Sequence, residues 1–166
     1  RKNLVRLISA YADYAGSFDA PAQLVLAGAK GWLYDEIFAR VQELGLSERV
    51  LFTQYIDSKD LCALMSGALA FTFPSLYEGF GMPPLEAMAC GTPVLVSDAA
   101  SLPEVTGDTA VIVKAEDAAS ITAGLCRLHE DAALRERLSR EGRERAERFT
   151  WDRSAERLYQ VYQEIL

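Results

Sequence analysis

Along the chain, apolar residues alternate between short continuous runs and longer stretches in which they recur every three or four positions. The runs at 23–28 (QLVLAG), 49–53 (RVLFT), 68–74 (ALAFTFP), 93–97 (PVLVS) and 110–114 (AVIVK) predict strands covered on both faces. Between them, Leu4, Leu7, Ile8 and Tyr11, then Ile37, Val41 and Leu44, then Leu61, Leu64 and Met65 keep helical spacing. Asn3 and Ser58 stand where N-caps belong, and Gly16 and Gly45 where helices stop. Alternating strands and helices predict an α/β fold: a Rossmann-like parallel sheet with right-handed crossovers and helices on both faces. Its ligands belong beyond the carboxyl ends of the strands. From 117 to 166 the spacing is helical throughout, and the mixed-charge run Arg135–Arg148 reads as a solvated helix face. A helix starts directly after "RKN", where this fold calls for a strand, so the chain reads as part of something longer.

Composition narrows the picture. With 166 residues, half of them hydrophobic, the chain can bury a core as a single domain. A net charge of −7 excludes a general nucleic-acid surface, so any polyanion site must be local. Cys62, Cys90 and Cys126 form no C-x-x-C pair and sit in apolar contexts, which reads as buried, reduced thiols of a cytoplasmic protein. No run approaches the roughly 20 apolar residues of a membrane span, and no signal-peptide pattern opens the chain.

The chemistry concentrates in "YEGFGMPPLEAMACGTPV", residues 77–94. Two glycines and two prolines between Glu78 and Glu86 exclude an unbroken helix. The segment predicts a loop at a strand's carboxyl end that becomes a helix near Pro84, leaving the N–H groups of Leu85 and Glu86 as unpaired donors. Such a helix start suits a phosphate. Gly79 to Met82 would expose backbone to a ligand, and carboxylates suit vicinal diols. A nucleotide sugar matches this order, with Glu78 at the hexose, the helix start at the diphosphate and Glu86 at the ribose. The plainer alternative is that Glu86 only favours the helix dipole, by ~0.3–1 kcal/mol, and that Glu78 is a solvated loop residue.

E-G-F-G-M-P-P-L-E-A-M-A-C-G-T-P-V, preceded by "FPSLY" and followed by "SDAASLPEVTGD" and "RFTW", resembles the carboxyl-terminal donor-binding domain of glycosyltransferase family 4, retaining enzymes of GT-B fold; "RKNL" resembles its mannosyltransferase-like branch. The resemblance runs through almost the whole chain. It implies transfer of a hexose, mannose favoured, from a nucleoside-diphosphate sugar (GDP-mannose favoured, a UDP-sugar the alternative) to a glycan or lipid-linked acceptor held by an amino-terminal domain. It implies no metal or other cofactor, and a cytoplasmic protein, with peripheral membrane association open to the full-length enzyme. Glu78 would lie beside the reacting sugar with Gly79, Phe80, Gly81 and Met82, while Arg1, Lys2 and Leu85 would hold the diphosphate. Glu86 would hold the ribose, and Tyr55 and Ile56 would meet the base. Gln54 departs from a common glycine in the family. Phe149 and Trp151 resemble a corner that packs the terminal helices.

Other residues read structurally. Ser101 in "SLPE" caps a short helix, "GAKGW" (28–32) is a strand-to-helix turn, and His129 has no partners for a metal site or a catalytic triad. Two rival functions stand beside the transferase: a sugar-nucleotide epimerase or hydrolase of the same architecture, and a non-enzymatic flavodoxin-like interaction module.

Overall fold

The structure, a computed structural model, describes residues 1–28 and 34–165. Each apolar run is a strand: β1 (Leu24–Ala27), β2 (Val50–Gln54), β3 (Phe71–Phe73), β4 (Val94–Ser97) and β5 (Val111–Val113). All pairings are parallel, and parallel neighbours need crossovers. Helices α2 (Tyr34–Glu43), α3 (Ser58–Ser66), α4 (Met82–Ala89) and α5 (Leu102–Thr106) connect successive strands. Helix α1 (Leu4–Gly16) precedes β1, and α6 (Ala118–Glu130), α7 (Ala132–Ala146) and α8 (Trp151–Ile165) follow β5. Most of the "GAKGW" turn lies outside the described residues.

Two corrections concern the sheet. The ladders are separate, β1–β2 and β3–β4–β5, instead of one continuous sheet. One core joins them, because Leu24 and Val50 pack in the same cluster as Leu95, Val111 and Val113, under α1 and α6. The second correction is burial, since only β4 is buried at every position. Its alternation sends Leu95 into that core and Val94 and Val96 into a second one, with Met65, Leu85, Met88 and Leu102. Val25 and Leu51, which are register partners, are both exposed, as is Ile112. A β-branched or apolar residue suits either face of a strand, so run length alone does not report coverage.

Several local readings also change. Asn3 occupies the N-cap of α1 in the left-handed region (φ 62°), and its side chain caps nothing. Asp57, not Ser58, precedes α3. Working caps occur at Asp117, whose carboxylate accepts from Ala119 N at 2.9 Å, and at Asp131, which accepts from Leu134 N at 2.8 Å. The arginine run is only partly a solvated face. Arg137 and Arg140 pair with Glu141 at the surface. Arg135 instead donates to the carbonyls of Leu128 and His129, and Arg145 to those of Glu104 and Val105. A guanidinium has donors enough to satisfy carbonyls at helix ends, which charge patterning does not reveal. His129 accepts a structural role, with Nδ1 2.7 Å from the Tyr14 hydroxyl and its ring 4.1 Å from that of Phe18.

Trp151 does not pack a corner: it is 84 % exposed, and no α8 residue is buried. Phe149 alone finds partners, with its ring 5.9 Å from Phe80 and Arg145 over its face. The apolar side of α8, with Leu158, Val161, Tyr162 and Ile165, is exposed along its length. The cysteines are free but not buried, Cys62 being exposed and Cys90 and Cys126 half-buried. Among the described residues, no helix is long and apolar enough to cross a membrane.

Candidate functional site

The chain leaves β3 at Phe73 and reaches α4 through residues 74–81, a loop at the carboxyl end of its sheet. Four ties to other parts of the fold hold it. Asn3 Nδ2 donates to the Pro74 carbonyl at 2.9 Å and to that of Ala115, beyond β5, at 2.7 Å. Ser97, buried at the end of β4, donates to the Ser75 carbonyl. Leu76 N donates to the Arg1 carbonyl at 2.9 Å. Ser101 Oγ donates to the carbonyls of Glu78 and Phe80, at 3.0 and 2.8 Å. That last tie corrects the cap reading, for Ser101 has no side-chain cap bond. Sequence reasoning missed Asn3, Ser97 and Ser101 as loop supports. The position of Ser97 at a strand's carboxyl end was the one available signal.

The loop brings the first and seventy-eighth residues' neighbourhoods together. Lys2 Nζ lies 2.8 Å from Glu78 Oε1 and 4.3 Å from the Phe73 ring centroid. The Glu78 side chain is 12 % exposed, against 44 % for Lys2. Burial pushes the Glu78 carboxyl up, but the Lys2 ammonium beside it and the nearby Arg1 outweigh that, so it is held below the usual carboxylate range. The fully buried Ser75 hydroxyl lies near this carboxylate and makes no well-formed hydrogen bond among the described residues. Lys2 thus stands at Glu78.

Helix α4 starts two residues earlier than Pro84, with Gly81 at the N-cap and both prolines inside the first turn. Pro83 is therefore helical: at the first turn neither proline removes a bond that the helix would otherwise make. The donor set moves accordingly. Leu85 N is taken by the Gly81 carbonyl at 3.4 Å and its side chain is buried, so Leu85 is not a free donor; Glu86 follows it inside the helix. The N–H groups of Gly79, Phe80, Gly81 and Met82 make no hydrogen bond among the described residues. Phe80 and Met82 are exposed around them. Gly81 has φ 114°, and a Cβ there would lie 2.9 Å from Leu102 Cδ2, so only glycine presents this turn without strain. The Glu86 side chain is exposed and makes no hydrogen bond or ion pair among the described residues, with the Cys90 thiol close enough to feel its charge.

Lys2 and Glu78 thus meet with Arg1 nearby, and the turn that follows Glu78 is exposed at Gly79, Phe80 and Met82 and buried at Gly81. Tyr55 (exposed) and Ile56 (half-buried) stand on the other ladder, just beyond β2. A groove of about 400 Å³ borders the loop at Gly79 and Phe80, lined further by Ser101, Glu104, Arg145 and Phe149, and includes neither Glu78 nor Glu86. The surface can therefore neutralise an anion, accept from hydroxyls and donate from backbone, all at one strand end.

A family model described as glycosyl transferases group 1 matches residues 1–145. The chain belongs to that family. It is 34 % identical over 163 residues to the O-antigen chain mannosyltransferase B of Escherichia coli, covering 98 % of this chain and 42 % of that protein. It is 36 % identical over 169 residues to the MMP alpha-(1->4)-mannosyltransferase of Mycolicibacterium hassiacum, covering 99 % and 40 %. Among solved structures it superposes on sucrose-phosphate synthase from Thermosynechococcus elongatus with a TM-score of 0.87 and 33 % identity, covering 99 % of this chain and 42 % of that one. It therefore spans about two fifths of the length of these proteins. In this glycosyl transferase chain Gln54 holds a left-handed, glycine-like backbone (φ 61°), and its carbonyl accepts from Gly28 N at 2.9 Å.

Proposed function

We propose that this domain is the donor-binding wall of a retaining hexosyltransferase, mannose favoured as the sugar, and that the second wall and the acceptor site belong to an amino-terminal domain. The observation that carries the reading is the Lys2–Glu78 pair, an ammonium and a depressed carboxylate held 2.8 Å apart beside a row of free backbone amides. Glu78, ionised at neutral pH, accepts from hexose hydroxyls. Lys2, Arg1 and the amides of 79–82 take the diphosphate, which is where charge develops as the sugar leaves. Glu86 accepts from the ribose diol, and Tyr55 and Ile56 border the base. In the transfer the bond from the sugar's anomeric carbon to the diphosphate oxygen breaks, and a bond to the acceptor oxygen forms on the same face. The acceptor's proton passes to the departing diphosphate. The relatives named mannosyltransferases favour mannose, and the thiol pattern favours the cytoplasm.

The test is calorimetry of the chain against GDP, UDP and ADP and against their sugars. Binding of one diphosphate nucleotide and its sugar, GDP and GDP-mannose foremost, is the expected result. Absence of affinity for every nucleotide would return the chain to an interaction module. Hydrolysis or epimerisation of the sugar by the full-length protein, with no transfer, would make it a sugar-nucleotide hydrolase or epimerase.

A further inference from the structure

Helix α4, which starts at the loop described above, ends on Cys90 at its C-cap. Cys90 Sγ lies 2.9 Å from Sγ of Cys62, on α3, although 28 residues separate them. Ser66, one turn beyond Cys62, has its hydroxyl 3.9 Å from Cys62 Sγ and donates to the Cys90 carbonyl at 3.4 Å. Cys62 is exposed and Cys90 half-buried. We propose that Cys62 and Cys90 form a thiol–disulfide exchange site, in which Cys62 attacks a small disulfide of the glutathione class and Cys90 resolves the adduct into an internal bond joining α3 to α4.

The order of attack follows from the surroundings. Cys62 is the accessible sulfur, and the hydrogen bond from Cys90 first, with the neighbouring Ser66 hydroxyl second, holds its thiol below the ordinary value. Cys90 is pushed up to about 11 by burial first, then by its bond and proximity to Cys62, with Glu86 adding to the effect, so the shared proton stays on Cys90. In the first step the Cys62 thiolate bonds to one sulfur of oxidised glutathione and expels a glutathione thiolate. Cys90 then gives its proton to that thiolate and bonds to Cys62 sulfur, expelling the second glutathione. Two thiols are oxidised and one disulfide is reduced to two thiols: Cys90 protonates the first departing glutathione, and the proton that Cys62 released to solvent on ionising returns to the second, so electrons and protons balance. Cys126 has no sulfur neighbour; its thiol is raised by burial and by Glu130, and it packs against the other core. The exchange chemistry does not rest on the donor reading: Glu86 acts on Cys90 by its charge alone, whether or not it meets a ribose.

The whole chain is incubated with oxidised glutathione, and its free thiols are titrated alongside intact-mass measurement and peptide mapping. The three free thiols should fall to one, with the mass lower by two hydrogens and the link mapped to Cys62–Cys90. Cys90→Ser should stop at a stable mixed disulfide on Cys62. Cys62→Ser should form no internal bond and react at least ~10-fold more slowly. Retention of all three thiols overturns the proposal. So does a product carrying glutathione on both cysteines without a link, or a link that forms only between two copies of the chain. No nucleotide enters this experiment, so its failure leaves the donor reading untouched.

Discussion

Gly79 and Gly81 lie two residues apart in one loop and should respond to an added methyl group in different ways. At Gly81 the φ of 114° strains any L side chain, by about 1–3 kcal/mol. The new Cβ would also stand 2.9 Å from Leu102 Cδ2, and Leu102 is fully buried with no room to swing into solvent. Displacing a packed side chain adds about 1–3 kcal/mol, so Gly81→Ala should lower unfolding free energy by about 2–6 kcal/mol. That is a large share of the ~5–15 kcal/mol typical of a domain. At Gly79 nothing lies within 4 Å of a Cβ and φ is ordinary, so Gly79→Ala should stay within ~0.5 kcal/mol of wild type. Its cost should appear in binding instead, because a methyl group there keeps a ligand from the exposed amides. Urea unfolding followed by circular dichroism gives the first quantity, and calorimetry with the preferred nucleotide sugar gives the second. If Gly81→Ala unfolds at the wild-type midpoint, or if the two variants lose equal stability, the steric account is wrong. Unchanged sugar-nucleotide affinity in Gly79→Ala would remove the amides from the site.

Three further outcomes are expected. Glu86→Gln should weaken nucleotide binding by ~1–3 kcal/mol and weaken a 2′-deoxy nucleotide much less, and equal losses in calorimetry would detach Glu86 from the ribose. The Glu78 carboxyl is depressed in the fold, so the Lys2–Glu78 pair adds stability at pH values above the unfolded glutamate value near about 4.3, and loses it as pH falls through the lower folded value. Because Lys2 is largely solvated the effect should be under ~1 kcal/mol, and Lys2→Ala should flatten that part of the pH–stability profile; an unchanged profile would show the pair to be energetically silent. Gln54→Gly should raise stability by up to ~1 kcal/mol by relieving the left-handed backbone at φ 61°, provided the extra freedom of the unfolded glycine does not cancel it; a clear loss in urea unfolding would show that the side chain packs.

Much of the site was visible in the one-dimensional pattern because its parts are close in sequence. The glycines, the prolines and both glutamates fall within 78–86, so local rules place them at the start of a helix after a strand. Even so the helix start moved by two residues, and with it the donors, from Leu85 and Glu86 to the amides of 79–82. A pair of prolines marks a first turn without saying which of its positions each one takes. The supports were harder to see. Asn3, Ser97 and Ser101 are ordinary small polar residues, and each reads locally as a cap or a strand end. What each does depends on a carbonyl more than twenty residues away.

The sequence by itself determined the alternation of five strands with crossover helices, the helical carboxyl-terminal third, and the passage from loop to helix between Glu78 and Glu86, since each rests on periodicity or on neighbouring residues. Only the tertiary structure decided how distant segments meet. It put Lys2 on Glu78 across 76 positions and Cys62 against Cys90 across 28, turned Arg135 and Arg145 inward, and left Trp151 and the apolar side of α8 exposed. Hydrophobic periodicity reports which side of an element avoids water. Which element covers that side, and which polar atoms meet beside it, is set by packing of the whole chain.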